Sequence, residues 1–97
     1  MTLGLSHNNF TLNSTTPTLL TVPANQEDEY HLTLTVQNLD ALYNVYLGSS
    51  SVSTTSFGYQ LLPGGVFSGD LLPNEDLYAV CDSGQAVKVA VIWLKRL

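Results

Sequence analysis

Apolar and polar residues alternate with a period of two along much of this chain, and the 3.6-residue period of a helix is nearly absent. The clearest run is Tyr30–Gln37. Tyr30, Leu32, Leu34 and Val36 fall on one side; His31, Thr33, Thr35 and Gln37 fall on the other. Successive side chains of a strand point to opposite faces, so this pattern predicts a strand with one buried and one polar face, typical of antiparallel sheets. Further strands are expected over Phe10–Asn13, Thr18–Val22, Asn44–Leu47, Gly58–Leu62, Gly65–Leu71, Leu77–Cys81 and Ala86–Leu94.

Turn chemistry separates these runs. Pro23-Ala24-Asn25, Asn38-Leu39-Asp40, Pro63-Gly64-Gly65, Pro73-Asn74-Glu75-Asp76 and Asp82-Ser83-Gly84 combine fixed-φ proline with residues that tolerate positive φ. Short strands at near-regular spacing between such corners predict an all-β domain, a small antiparallel sandwich or barrel of about seven or eight strands. A single helical turn near Asp40–Tyr43 is the only helix expected. The uncharged segment Ser49–Ser56 is too short and too central to link two domains, and is expected as a long hairpin loop.

The last strand differs from the others. Val87, Val89, Val91 and Trp93 form one face, and Ala90, Ile92 and Leu94 line the other, with Lys88 at its start. A strand apolar on both sides needs cover on both sides. One face packs within the domain; the second calls for the N-terminal stretch or another subunit. Residues 1–9, with Leu3 and Leu5 among polar neighbours, are expected as an arm, flexible or docked on a partner, ahead of a sandwich domain over residues 10–97. Leu3, Leu5, Ala90, Ile92, Trp93 and Leu94 are therefore the candidate oligomer or shell interface.

At 97 residues the chain makes one domain, burying roughly 60–70% of the surface it exposes when unfolded. That supports a modest core and favours assembly. Charged residues are only 11% of the chain, against about 25% in ordinary soluble domains, so Ser, Thr, Asn and Gln must supply the polar surface. The net charge is −5, and the three basic residues, Lys88, Lys95 and Arg96, all lie in the last ten positions. Phosphate backbones and anionic membranes are held by clustered Lys and Arg, so neither nucleic acid nor a membrane surface is an expected partner. Met1–Phe10 lacks the basic start and apolar run of a secretory signal, so cytoplasmic synthesis is expected. The longest apolar run, Val89–Leu94, is far too short to span a bilayer.

Candidate chemistry is sparse. Cys81 is the lone cysteine, has no basic neighbour in sequence, and is expected as a small buried hydrophobe. His7 and His31 share no metal-ligand spacing with an acid, and no nucleophile elbow is present. Glu27-Asp28-Glu29 and Glu75-Asp76 lack the ligand pattern of a calcium loop. No catalytic residue, metal site or cofactor is implied. Tyr43, Tyr46, Tyr59 and Trp93 leave open a stacking platform for sugars, the basis of an alternative reading as a lectin-like or receptor-binding sandwich; burial of these rings in the core is the competing outcome.

From Asn44 onward a resemblance enters. Asn44-Val45-Tyr46-Leu47-Gly48 precedes the Ser/Thr loop, followed by Phe57-Gly58-Tyr59-Gln60-Leu61-Leu62-Pro63-Gly64-Gly65, then Leu77-Tyr78-Ala79-Val80 and the closing valine strand. This order of a V-Y-x-G strand, a G-x-x-L-x-P-G turn and an L-Y-A strand resembles small β-sandwich phage virion accessory proteins of the capsid-decoration type. The resemblance spans Asn44 to about Leu94 and carries no catalytic residues. It implies a non-enzymatic virion structural protein made in the host cytoplasm. It further implies a homotrimer on the particle surface, partnered with the major capsid protein or another virion protein.

Overall fold

The computed structural model describes residues 2–20, 31–72 and 75–96, with side chains described for 5–20, 31–72 and 75–94. Among the described residues eight strands occur, in the order β1 (Thr2–Leu12), β2 (Thr18–Leu19), β3 (His31–Asn38), β4 (Val45–Gly48), β5 (Tyr59–Leu61), β6 (Val66–Leu71), β7 (Tyr78–Cys81) and β8 (Val87–Arg96). They form two four-stranded antiparallel sheets, β1-β8-β3-β6 and β2-β7-β4-β5. The chain is an all-β sandwich, as its alternation predicts. First pairs with last, second with seventh, third with sixth and fourth with fifth, which is the jelly-roll arrangement.

The core lies between the sheets. Leu32, Leu34 and Val36 of β3 and Val87, Val89, Val91 and Trp93 of β8 point inward, against Val45, Leu47, Ala79 and Cys81 of the opposite sheet. Trp93 is 4% exposed, meets Phe10 edge-on at 6.2 Å, and donates its indole N–H to the Leu20 carbonyl at 3.0 Å. The ring thus fills the core while its one polar atom stays satisfied.

Three corners close as their residues dictate. Gly65 N–H donates to the Leu62 carbonyl at 2.7 Å, and Gly64 has φ +75°. Proline second and a positive-φ glycine third define a type II turn. A Cβ on Gly65 would stand 2.9 Å from the Leu62 oxygen, so Gly65→Ala is expected to cost about 1–3 kcal/mol through forced backbone movement, measurable as a lower urea midpoint. Asp82–Gln85 closes in the same way, with Gly84 at φ +76°. At the β3–β4 corner no helical turn forms. Asp40 instead accepts hydrogen bonds from Leu42 N–H at 2.7 Å and Tyr43 N–H at 3.0 Å, competing with helical backbone bonding.

One boundary differs from the expectation. Residues 1–9, expected as an arm apart from the domain, belong to the sheet from Thr2 onward. Leu5 pairs with Leu94, His7 with Ile92 and Asn9 with Ala90. Alternation hides this strand because its inward positions Ser6 and Asn8 are polar and exposed, so backbone pairing to β8 rather than burial defines it. The expected strand ends at Val22 and Tyr30, the turn Pro23–Asn25, the acidic run Glu27–Glu29 and the Pro73-Asn74 corner lie outside the described residues.

Candidate assembly surface

Because β8 is flanked by β1 and β3, its outward residues sit in the middle of a four-strand face. Register fixes what surrounds them. Leu5, Leu94, Thr33 and Asp70 form one row across the sheet; His7, Ile92, Thr35 and Ser68 the next; Asn9, Ala90, Gln37 and Val66 a third. Thr33 donates to the Asp70 carboxylate at 2.7 Å, and Thr35 and Ser68 hydroxyls bond at 2.8 Å. The β3–β6 side of the face is therefore a polar hydrogen-bonded ladder. The outward residues of β8, with Leu5 beside them on β1, are apolar: Leu5 is 66% and Ile92 44% exposed, with Ala90 and Leu94 partly buried, while His7 and Asn9 of β1 border them. Two shallow hollows flank Ile92, one toward His7 and Gln37, the other toward Leu5 and Thr33.

The opposite sheet treats its outer face differently. There the β4–β5 loop folds back, and Val52, 6% exposed, packs on Tyr46, Val80 and Tyr78 to build a second small cluster. Gly48 permits this, since a Cβ at that position would lie 3.1 Å from the Val52 side chain. Among the described residues, one sheet is roofed by its own loop and the other is bare.

The six interface candidates therefore divide. Leu5, Ala90, Ile92 and Leu94 come together on the bare face. Trp93 does not join them: its side chain belongs to the core and has almost no surface to offer, because odd positions of β8 point inward. Leu3 lies in β1 where the register shifts between Thr2 and Gly4, and its side chain is outside the described set. Thr33, Thr35 and Gln37 complete the face, and sequence reasoning assigned them only to a polar side. Which polar side abuts Ile92 depends on a β3–β8 register that strand periodicity does not encode.

The same sheet ends in two edges. Among the described residues β1 and β6 each have one unpaired side. β1 spans 11 residues with no Pro, Lys or Arg. Natural sheets protect exposed edges with exactly such residues, or with bulges and short strands; here only the register shift near Thr2 interrupts the strand. The bare face measures roughly 500 Å², taking four strands about 4.8 Å apart and eight residues of about 3.4 Å rise. A stable interface needs about 800 Å² per partner. Contact through the face alone falls short, so edges or loops must contribute as well.

Cys81 is fully buried, its thiol directed at the Gln85 carbonyl at 3.2 Å. Burial pushes the Cys81 thiol above its usual range, away from the reactive thiolate. Asp82 accepts from Tyr46 O–H and from Asn44 N–H, both at 2.7 Å. That carboxylate, followed by burial, raises the Tyr46 hydroxyl above its ordinary value. Glu75 accepts from Leu72 N–H at 2.7 Å. His7 and His31 sit on β1 and β3, opposite Ile92 and Arg96 of the intervening strand and four positions apart along it. Among the described residues no three His, Cys, Asp or Glu side chains are grouped to hold a metal ion, and no helix is long and apolar enough to cross a membrane.

The four rings considered as a sugar platform are not assembled into one. Trp93 is in the core, Tyr43 packs against it, and Tyr46 is buried in the small cluster. Tyr59 is exposed and pairs with Phe67 at 5.2 Å.

No family model matches the chain, and no curated protein matches it. Among solved structures it is similar to a chain from Bacillus endospore appendages, described as a novel family of disulfide-linked pili. The similarity has a TM-score of 0.59 at 9% identity, over 96% of this chain and 84% of that one. At that identity the likeness is one of fold: the two-sheet sandwich is an architecture shared with that appendage protein.

Proposed function

We propose that this domain is a non-enzymatic structural subunit that assembles with copies of itself. The observation that carries the reading is the bare apolar strip of Leu5, Ala90, Ile92 and Leu94. It lies beside a long unprotected edge strand, in a molecule that roofs its other sheet with its own loop. An apolar strip with an open strand edge is what β-structured subunits use to recognise one another. In its finer form the reading is a virion surface protein of the capsid-decoration type, a trimer bound to the major capsid protein. That form rests on the resemblance over Asn44 to Leu94. A second form, subunits joined head to tail in an open fibre, is favoured by the fold shared with a pilus-type protein. Disulfide linkage is no part of either, because Cys81 is the chain's one cysteine and is fully buried.

Light scattering and negative-stain microscopy of the purified chain test the reading. Wild type is expected as an oligomer. The Leu5→Ser, Ile92→Thr double variant is expected as a monomer with an unchanged circular dichroism spectrum. A discrete trimer that co-sediments with empty capsids supports the decoration form, and filaments support the second. A wild-type monomer at every concentration up to the solubility limit rejects self-assembly in both.

A further inference from the structure

We infer that the hollow in the β4–β5 loop is a binding site for a neutral saccharide unit. It is an open hollow of about 220 Å³, a size that admits one sugar ring. Its lining includes Ser49, Ser51, Ser56 and Phe57, with Gly48 and Gly58. It is distinct from the four-ring platform that the fold takes apart.

Three features fix the ligand class. The first is charge: no Asp, Glu, Lys, Arg or His occurs between Asp40 and Asp70. An ionic ligand finds no counter-charge on this loop, and a hard cation finds no carboxylate. The second is hydrogen-bonding capacity. Ser49 and Ser51 hydroxyls bond each other at 3.0 Å, which leaves one donor and several acceptor positions on the pair. A sugar hydroxyl both donates and accepts, so it matches such a wall. The third is the exposed Phe57 ring, held on Tyr46 at a centroid distance of 4.8 Å. It offers an apolar face for the C–H side of a pyranose, with its orientation already set.

The loop is built before any ligand arrives. Val52 N–H donates to Ser49 O at 3.0 Å, Ser53 N–H to Ser56 O at 2.8 Å, and Gly58 N–H to Leu47 O at 2.8 Å. Ser56 N–H also donates to Ser53 Oγ at 3.0 Å. With Val52 buried beneath it, the loop spends little ordering entropy on binding.

Amide chemical-shift titration of the intact, isotope-labelled protein tests the site. The probes are methyl glycosides of glucose, galactose, mannose and N-acetylglucosamine, with glucuronate and glucosamine as charged controls. At least one neutral sugar is expected to give saturable shifts centred on Ser49, Ser51, Ser56 and Gly58, with a Kd of about 1–10 mM. The charged controls are expected to bind more weakly. Phe57→Ala is expected to weaken binding at least about fivefold. Should that variant lose its dispersed spectrum, the Ser51→Ala, Ser56→Ala double variant takes its place, with the same loss expected. No saturable shift with any neutral sugar up to about 100 mM, shifts centred elsewhere, or unchanged affinity in a folded variant overturns the inference.

Discussion

Trp93→Ala is expected to lower the unfolding free energy by about 3–5 kcal/mol, the usual cost of emptying a buried tryptophan site. A 97-residue domain holds only about 5–15 kcal/mol in total, so the variant sits near the limit of folding. Two losses combine. The indole leaves a cavity between the sheets, beside Phe10 and Leu34, and the Leu20 carbonyl loses the N–H it accepts at 3.0 Å. Urea denaturation followed by circular dichroism reads the effect. One residue away, Ile92→Thr is expected to change monomer stability by less than about 1 kcal/mol, since a β-branched residue is kept at a half-exposed strand position. The pair separates folding from assembly by side-chain direction alone. Similar losses at both positions would mean that the inward and outward faces of β8 are not distinct.

The second large effect belongs to Asn38. It is a fully buried polar residue, 0% exposed, at the end of β3. Its side-chain amide donates to the Tyr43 carbonyl at 2.9 Å, the Leu62 carbonyl at 3.2 Å and the Leu61 carbonyl at 3.3 Å. Its side-chain oxygen accepts from Asp40 N–H at 2.9 Å. One side chain thus ties the β3–β4 corner to the β5–β6 corner across the two sheets. Asn38→Leu keeps the bulk but strands these groups, at an expected cost of about 2–4 kcal/mol by denaturant unfolding. Asn38→Asp sets a carboxylate against carbonyl oxygens, which raises its folded pKa above the unfolded value of about 3.9. The added penalty is absent below that unfolded value and grows as pH rises through the folded one. Stability of Asn38→Asp relative to wild type is therefore expected to be greatest in acid.

The strand pattern was legible wherever one face was buried. His31–Asn38 and Val87–Leu94 declare themselves because Leu32, Leu34, Val36 and the β8 valines recur at every second position. The corners at Pro63-Gly64 and Asp82–Gly84 were legible from residues that accept positive φ. β1 was not, because Ser6 and Asn8 face inward without being buried, and no apolar period marks them. The assembly surface was half legible. Ala90, Ile92 and Leu94 follow from β8 alone, but their neighbours come from β1 and β3 through long-range pairing. Trp93 was misplaced among interface residues: the period of two puts it on the face of Val87, Val89 and Val91, opposite Ile92, but two-sided apolar character does not say which of the two faces turns to the core. The role of Val52 was hidden for a related reason: one valine in a serine-rich loop has no period, and only the fold places Tyr46, Val80 and Tyr78 beneath it.

The pairing of β1 with β8 joins the first strand to the last, and β3 also depends on β8 for its inner neighbour. During synthesis, the first 86 residues therefore emerge without the strand that two others require. The native sheet cannot close until Val87–Arg96 has been made and has left the ribosomal exit tunnel. Such sequence-distant contacts favour slow folding, and a chain truncated before Val87 would leave both β1 and β3 without the strand that lies between them.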